Sequence, residues 1–199
     1  MVHDGYSAGL VSRPFCFQEF KKMMKMLSEG ISYQYIEKMN ADDNIFSAPT
    51  PRRSKDIFLS SRRRSKALPD GMIPLFVSTN VAAQKIITLL AIMKTDRLLF
   101  DFIYEVYRDK IILGSNEISD ADISIFFNNK LTSSELMQQW KEATLRRLGF
   151  AYMTILSEAG LIEIVKGKRI VKRPLLDPDL EKQLRENGME HYINALTGV

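Results

Sequence analysis

Cysteine and histidine are scarce in this chain of 199 residues, and their scarcity excludes two kinds of stabilising site. Cys16 is the single cysteine, so no disulfide can form within the chain, as is typical of proteins from a reducing compartment. Its position between Phe15 and Phe17 predicts a small buried side chain. His3 and His191 are the only histidines, and with one cysteine they cannot supply the ligands of a zinc site.

Long apolar runs are also missing. The longest, residues 86–93, is interrupted by Thr88 and is far shorter than a membrane span. Asp4 and Gly5 stand where a secretory signal would begin its apolar region. These features predict a soluble, cytoplasmic protein that does not enter a membrane.

Motifs that bind nucleotides or support catalysis are absent from the sequence as well. It contains no glycine-rich phosphate loop followed by lysine and no dinucleotide fingerprint. Asp177 and Asp179 flank Pro178, a pattern that favours the start of a helix over a metal site. We therefore expect no enzymatic activity, no cofactor and no small-molecule substrate.

Positive charge, in contrast, is concentrated in two segments. Residues 50–67 hold seven Lys or Arg and one acid, and residues 141–173 hold eight Lys or Arg and three acids. The whole chain carries only +4, so the remaining residues are acidic on balance. Two basic patches on an acidic body favour an anionic partner bound at particular places.

In the N-terminal half, apolar periodicity predicts helices over residues 15–28 and 32–39, followed by a loop. Thr50 is a suitable N-cap and Pro51 a suitable first residue for a third helix that ends near Leu68. At 100° per residue, Ile57 and Phe58 lie on the back of this helix. One arc on its front carries a row of cations: Arg52, Lys55, Arg62, Arg63 and Lys66.

Residues 69–78 are predicted to form a connector. The apolar patterns that follow predict a pair of helices over 79–93 and 95–112. Shorter helices are expected at 119–128 and 133–140, and a longer one at 142–159 with Gly160 just beyond its end. Residues 161–173 predict a β-hairpin with a three-residue turn at Lys166, Gly167 and Lys168. Terminal helices complete the chain.

These elements predict a mainly α protein with two helix-turn-helix-like units, one of them winged-helix-like, and a short β-hairpin. We expect a trihelical unit over residues 1–68, a central buried helical pair over 69–114, and a winged-helix-like unit over 115–199. In this interpretation the third helix of each unit faces nucleic acid and the hairpin lies along the backbone.

The sequence therefore predicts binding of double-stranded DNA, mainly through phosphates. The predicted contacts are all cationic: Arg52, Arg53, Lys55, Arg62, Arg63, Arg64, Lys66, Arg146, Arg147, Lys166, Lys168, Arg169, Lys172 and Arg173. Phe150 lies among polar residues on the outer face of the helix over 142–159. It could stack on or wedge between bases, but we expect it to pack under a neighbouring unit.

Two other functions fit the same charge pattern. The basic faces could bind acidic protein partners, or the helical body could bind structured RNA. A basic helix face can also be no more than a solvated surface.

Beyond these patterns, four segments make the chain resemble the BrxA family of bacteriophage exclusion (BREX) defence systems. The first runs from Tyr6 to Leu10, and the last is Leu175 to Leu180. Between them are residues 94–106, with Asp96, Arg97, Leu98 and Leu99, and residues 140–162, with Trp140, Thr144, Leu145 and the run from Ile155 to Ile162. The resemblance implies a small helical accessory protein that binds DNA beside other BREX proteins, which carry the methyltransferase and ATPase activities.

Overall fold

The computed structural model describes residues 5–199 and is mainly helical with one antiparallel β-hairpin, as predicted. The chain divides into two compact units. The first unit is Phe15–Thr95, and the second unit combines the described residues before Phe15 with Asp96–Val199. The predicted boundaries after residues 68 and 114 fall inside these units. No helix within residues 5–199 has the length and apolar content to cross a membrane.

The first unit is built from helices only. They are α1 (Phe17–Ser28), α2 (Tyr33–Asp43), α3 (Pro51–Ala67), α4 (Met72–Ser78) and α5 (Val81–Thr95). Helix α3 packs against α1, α2 and α5. Ile57 and Phe58 on its back join Met23 of α1 and Ile36 of α2 in the core.

Two local expectations for the first unit are wrong. Residues 72–78 form α4 and not a connector. Pro74 is the third residue of this helix, where its missing N–H would have had no partner within the helix. Helix α2 continues to Asp43 because its buried Asn40 is held by Ser54 of α3, whose carbonyl accepts from the Asn40 amide at 3.1 Å.

The second unit contains the remaining elements. They are a 3-10 turn (Gly9–Val11), α6 (Arg97–Phe102), a π-helical turn (Ile103–Tyr107), α7 (Arg108–Ile112), α8 (Asp120–Ser133), α9 (Glu135–Gln138), α10 (Glu142–Ala159), β1 (Ile162–Val165), β2 (Lys168–Val171), α11 (Pro178–Glu186) and α12 (Glu190–Thr197). In its core, the ring of Phe102 contacts the rings of Phe126 and Tyr152.

The hairpin differs from the prediction at its turn. Val165 pairs with Lys168, so the turn has two residues, Lys166 and Gly167, and not three. Both have positive φ, 48° and 80°, which is the backbone of a type I′ turn. Residues 116–118 run beside β2, where Ile118 N donates to the Arg169 carbonyl at 3.0 Å.

A partly buried ion-pair cluster fixes α8 to α6 and to the N-terminal segment. Lys130 of α8 lies 3.0 Å from a carboxylate oxygen of Asp101 and also pairs with Glu105. The Tyr6 hydroxyl donates to Asp101 at 2.7 Å. Burial alone lowers the pKa of Lys130, but its two carboxylate partners outweigh burial and raise that pKa. The charged cluster therefore has a structural role, since it links these elements to one another.

Candidate nucleic-acid interface

Helix α3 presents the first cationic surface. As predicted, Thr50 caps the helix, since its side-chain oxygen accepts from Arg53 N at 3.2 Å, and Pro51 is the first helical residue. The predicted front row is turned away from the core, with Arg62 partly buried and the other members exposed. We call this row the α3 surface: Arg52, Lys55, Arg62, Arg63 and Lys66.

Two features of the α3 surface go beyond the sequence prediction. Arg62 and Lys66 lie over the ring of Tyr33, at 5.7 and 5.2 Å from its centroid, so this end of the row is oriented by cation–π contacts. Leu59 lies within the same arc and is 44% exposed. An exposed leucine among cations gives the surface one apolar point of contact.

Two predicted DNA contacts on α3 are turned inward instead. Arg64 is 1% exposed, and its guanidinium donates to the Phe15 carbonyl at 2.8 Å, so its predicted role in DNA contact is wrong. Arg53 is half-buried, with a guanidinium nitrogen 3.9 Å from the Cys16 sulfur. Cys16 itself has a φ of 51° and is only partly buried, contrary to the prediction. Both arginines thus brace the start of α1.

Helix α10 carries the second surface. Leu148, Tyr152, Ile155 and Leu156 are buried, while the predicted DNA contacts Arg146 and Arg147 are exposed. Gly149 permits the close packing of α10 on α8, because a Cβ there would lie 2.9 Å from Ile123. On the opposite face of α10, Arg146, Arg147 and Phe150 are exposed, and we call these three residues the α10 surface.

Phe150 is 61% exposed, so the expectation that it is covered by packing is wrong. It lies one helical turn after Arg146 and three residues after Arg147. Its exposure could not be read from the sequence, because a phenylalanine on a polar helix face is usually covered by another element.

The predicted hairpin contacts fall into two groups. Three cations form ion pairs within the protein: Lys168 with Glu117 at 3.2 Å, Arg169 with Asp120 at 2.7 Å, and Lys172 with Glu163 at 2.9 Å. Lys166 and Arg173 are exposed and have no ion-pair partner among residues 5–199. The charge available to a ligand is therefore greatest at the turn and just beyond β2.

The structure thus brings the predicted contacts together in two groups. The α3 surface lies in the first unit, and the α10 surface and the hairpin lie in the second. Residues 5–199 contain no cluster of three or more His, Cys, Asp or Glu side chains placed to hold a metal ion. The arrangement can bind anions through fixed cations.

Two comparisons of sequence identify one family. The family model described as BrxA matches residues 4–188. A protein of Bacillus cereus (strain H3081.97) named "BREX protein BrxA" is 37% identical over 193 residues, which cover 97% of this chain and 96% of that protein. In fold, the chain is similar to the crystal structure of an uncharacterized protein from Magnetospirillum magneticum, with a TM-score of 0.81, 19% identity and coverage of 98% and 99%.

Proposed function

The chain belongs to the BrxA family, and from that premise we propose that it is a non-catalytic adaptor that binds double-stranded DNA in BREX anti-phage defence. The α3 surface and the α10 surface make the contacts in this proposal, mainly with phosphates. Other BREX proteins are the expected partners, because the 37% identical relative is itself named a BREX protein.

The observation that carries the proposal is the row of cations along the front of α3. Arg52 and Lys66 are fourteen residues apart, so the row is about 21 Å long at 1.5 Å per residue. A duplex carries about twelve phosphate charges over that length. Because the back of α3 is fixed in the core by Ile57 and Phe58, several of these cations can meet phosphates together without ordering a flexible segment.

The second unit supports the same function through the order of its elements. Residues 116–118, then α8, α9, α10 and the hairpin follow one another as the elements of a winged helix do. We propose that α10 enters the major groove with Arg146 and Arg147. Lys166 and Arg173 then contact the neighbouring backbone.

Direct binding tests the proposal against its two alternatives. Fluorescence anisotropy with a labelled duplex of about 30 base pairs, roughly three helical turns, measures affinity. Unlabelled duplex DNA, duplex RNA and an acidic protein serve as competitors. We expect DNA to compete best; preferential loss of signal with duplex RNA would favour an RNA-binding protein. Absence of duplex binding at low salt would refute the proposal and favour acidic protein partners.

A matched pair of variants shows whether charge position matters. Changing Arg52, Lys55 and Lys66 to Gln removes three charges from the α3 surface. Changing Lys25, Lys38 and Lys182 to Gln removes three charges from exposed positions outside both surfaces. We expect about a tenfold or greater loss of duplex affinity in the first variant and less than about twofold in the second. Equal losses would indicate attraction by net charge alone.

A further inference from the structure

Phe150 is an exposed aromatic residue that lies outside the core of its unit. It is 61% exposed. Helix α10 cannot turn to bury it, because the opposite face is fixed by Gly149 against Ile123 and by the buried Tyr152. The ring is therefore held in solvent on a rigid support.

The neighbours of Phe150 on the same face are cations. Arg146 and Arg147 precede it by four and three residues, so at 100° per residue they lie on either side of the ring, one turn earlier. Both arginines are exposed, and neither forms an ion pair among the described residues. The ring thus lies where guanidinium groups would hold a phosphate backbone.

An aromatic ring beside phosphate-binding cations matches the chemistry of an unstacked base. Base–aromatic stacking needs an accessible base face. An intact duplex offers none unless a side chain first wedges its base pairs apart, which costs free energy. An unpaired base at a bulge, fork or gap offers its face without that cost. Leu59, the exposed apolar residue of the α3 surface, has no ring and cannot stack.

We propose that the α10 surface recognises DNA that contains an unpaired base, with Phe150 stacked on the base and Arg146 and Arg147 on the flanking phosphates. This inference rests on the proposed function, since it specifies the kind of DNA that the same surface binds. The α3 surface then contacts phosphates of duplex DNA without regard to pairing. An aromatic anchor for a protein partner is the competing role for Phe150.

Two labelled DNAs that differ by one extra adenine in one strand test the inference. We expect wild type to bind the bulged duplex about tenfold more tightly than the intact one, within the range of one stacked base. Phe150→Ala should reduce this ratio to less than about twofold, because binding to the bulged duplex loses the stacked ring. Phe150→Trp should retain the preference. The Arg146→Gln, Arg147→Gln double variant should weaken binding to both DNAs.

Photocrosslinking locates the contact independently of affinity. The unpaired adenine is replaced by 5-iodouracil, the complex is irradiated, and the crosslinked peptide is identified by mass spectrometry. We expect attachment at Phe150. Because this side chain is exposed, Phe150→Ala should fold normally, which thermal unfolding followed by circular dichroism verifies.

The outcomes separate this inference from the proposed function. Equal affinity of wild type for both DNAs, an unchanged ratio in Phe150→Ala, or crosslinks confined to other residues would each overturn the inference and leave duplex binding intact. No affinity for either DNA would refute the proposed function as well.

Discussion

At the residue scale, neighbouring arginines on α3 have different environments. Arg63 is exposed, whereas Arg64 is buried and donates to the Phe15 carbonyl. Successive residues of a helix are 100° apart, so a run of three arginines must span more than one face. The sequence located the cationic face correctly, but only tertiary packing shows that the long side chain of Arg64 reaches across the core to the start of α1.

Arg64→Met should therefore destabilise the protein without removing a DNA contact. We expect the free energy of unfolding to fall by about 2–3 kcal/mol, because the Phe15 carbonyl loses a charged hydrogen-bond donor within the core. Urea denaturation followed by circular dichroism measures this loss. Arg63→Gln is the matched control, with a change in stability within about 0.5 kcal/mol and weaker duplex binding. An unaltered stability of Arg64→Met would show that the buried guanidinium contributes nothing.

At the element scale, capping residues define the helices that support both surfaces. Ser119 and Asp122 form a capping box at the start of α8, where the Ser119 side chain accepts from Asp122 N and Ser119 N donates to the Asp122 carboxylate. Burial alone raises the pKa of Asp122, but the Lys110 ammonium at 2.7 Å and the Ser119 hydrogen bonds outweigh burial and lower that pKa.

A lowered carboxyl pKa stabilises the folded protein above the unfolded value of 3.8 and loses this effect as pH falls through the folded value. Asp122→Asn should therefore be less stable than wild type at pH 7, by about 1 kcal/mol as for other lost caps. The difference should shrink as pH falls below the unfolded value. Urea denaturation at pH 7 and at several acidic pH values measures the difference in free energy of unfolding between the two proteins. A difference that does not change with pH would contradict this prediction.

The hairpin turn permits a clean test of one charge. Lys166 has a φ of 48°, and asparagine followed by glycine is the favoured pair for a type I′ turn. Lys166→Asn should therefore retain or slightly raise the stability of the protein. It should also weaken duplex binding and reduce the salt dependence of the association constant by about one phosphate contact. Anisotropy and thermal melts measure the two effects. An unchanged duplex affinity would show that the hairpin turn does not contact DNA.

Local signals were sufficient to predict α3, α10 and the hairpin, because Thr50 with Pro51, Gly160 just beyond the end of α10, and a glycine-containing turn each act within a few residues. The turn itself was predicted one residue too long, since Lys168 pairs with Val165. Helix α4 was missed because a proline in the first helical turn resembles a proline in a connector. The end of α2 depends on the contact of Asn40 with Ser54 fourteen residues away. The exposure of Phe150 likewise depends on which elements pack around α10.

At the scale of the whole molecule, the basic segments of the sequence belong to different compact units. Residues 50–67 lie in the first unit and residues 141–173 in the second. Ion pairs neutralise much of the hairpin charge, whereas all cations of the α3 surface except the partly buried Arg62 are exposed. We therefore propose that α3 supplies most of the electrostatic binding and that α10 recognises base structure.

Salt dependence of duplex binding tests the central claim most directly. The logarithm of the association constant is measured by anisotropy against the logarithm of salt concentration for wild type, the Arg52, Lys55 and Lys66 variant, and the Lys25, Lys38 and Lys182 control. Each phosphate contact contributes about −0.9 to the slope, so the α3 variant should have a slope shallower by about 2 to 3 and the control should match wild type. Identical slopes for all three proteins would contradict the assignment of phosphate contacts to the α3 surface.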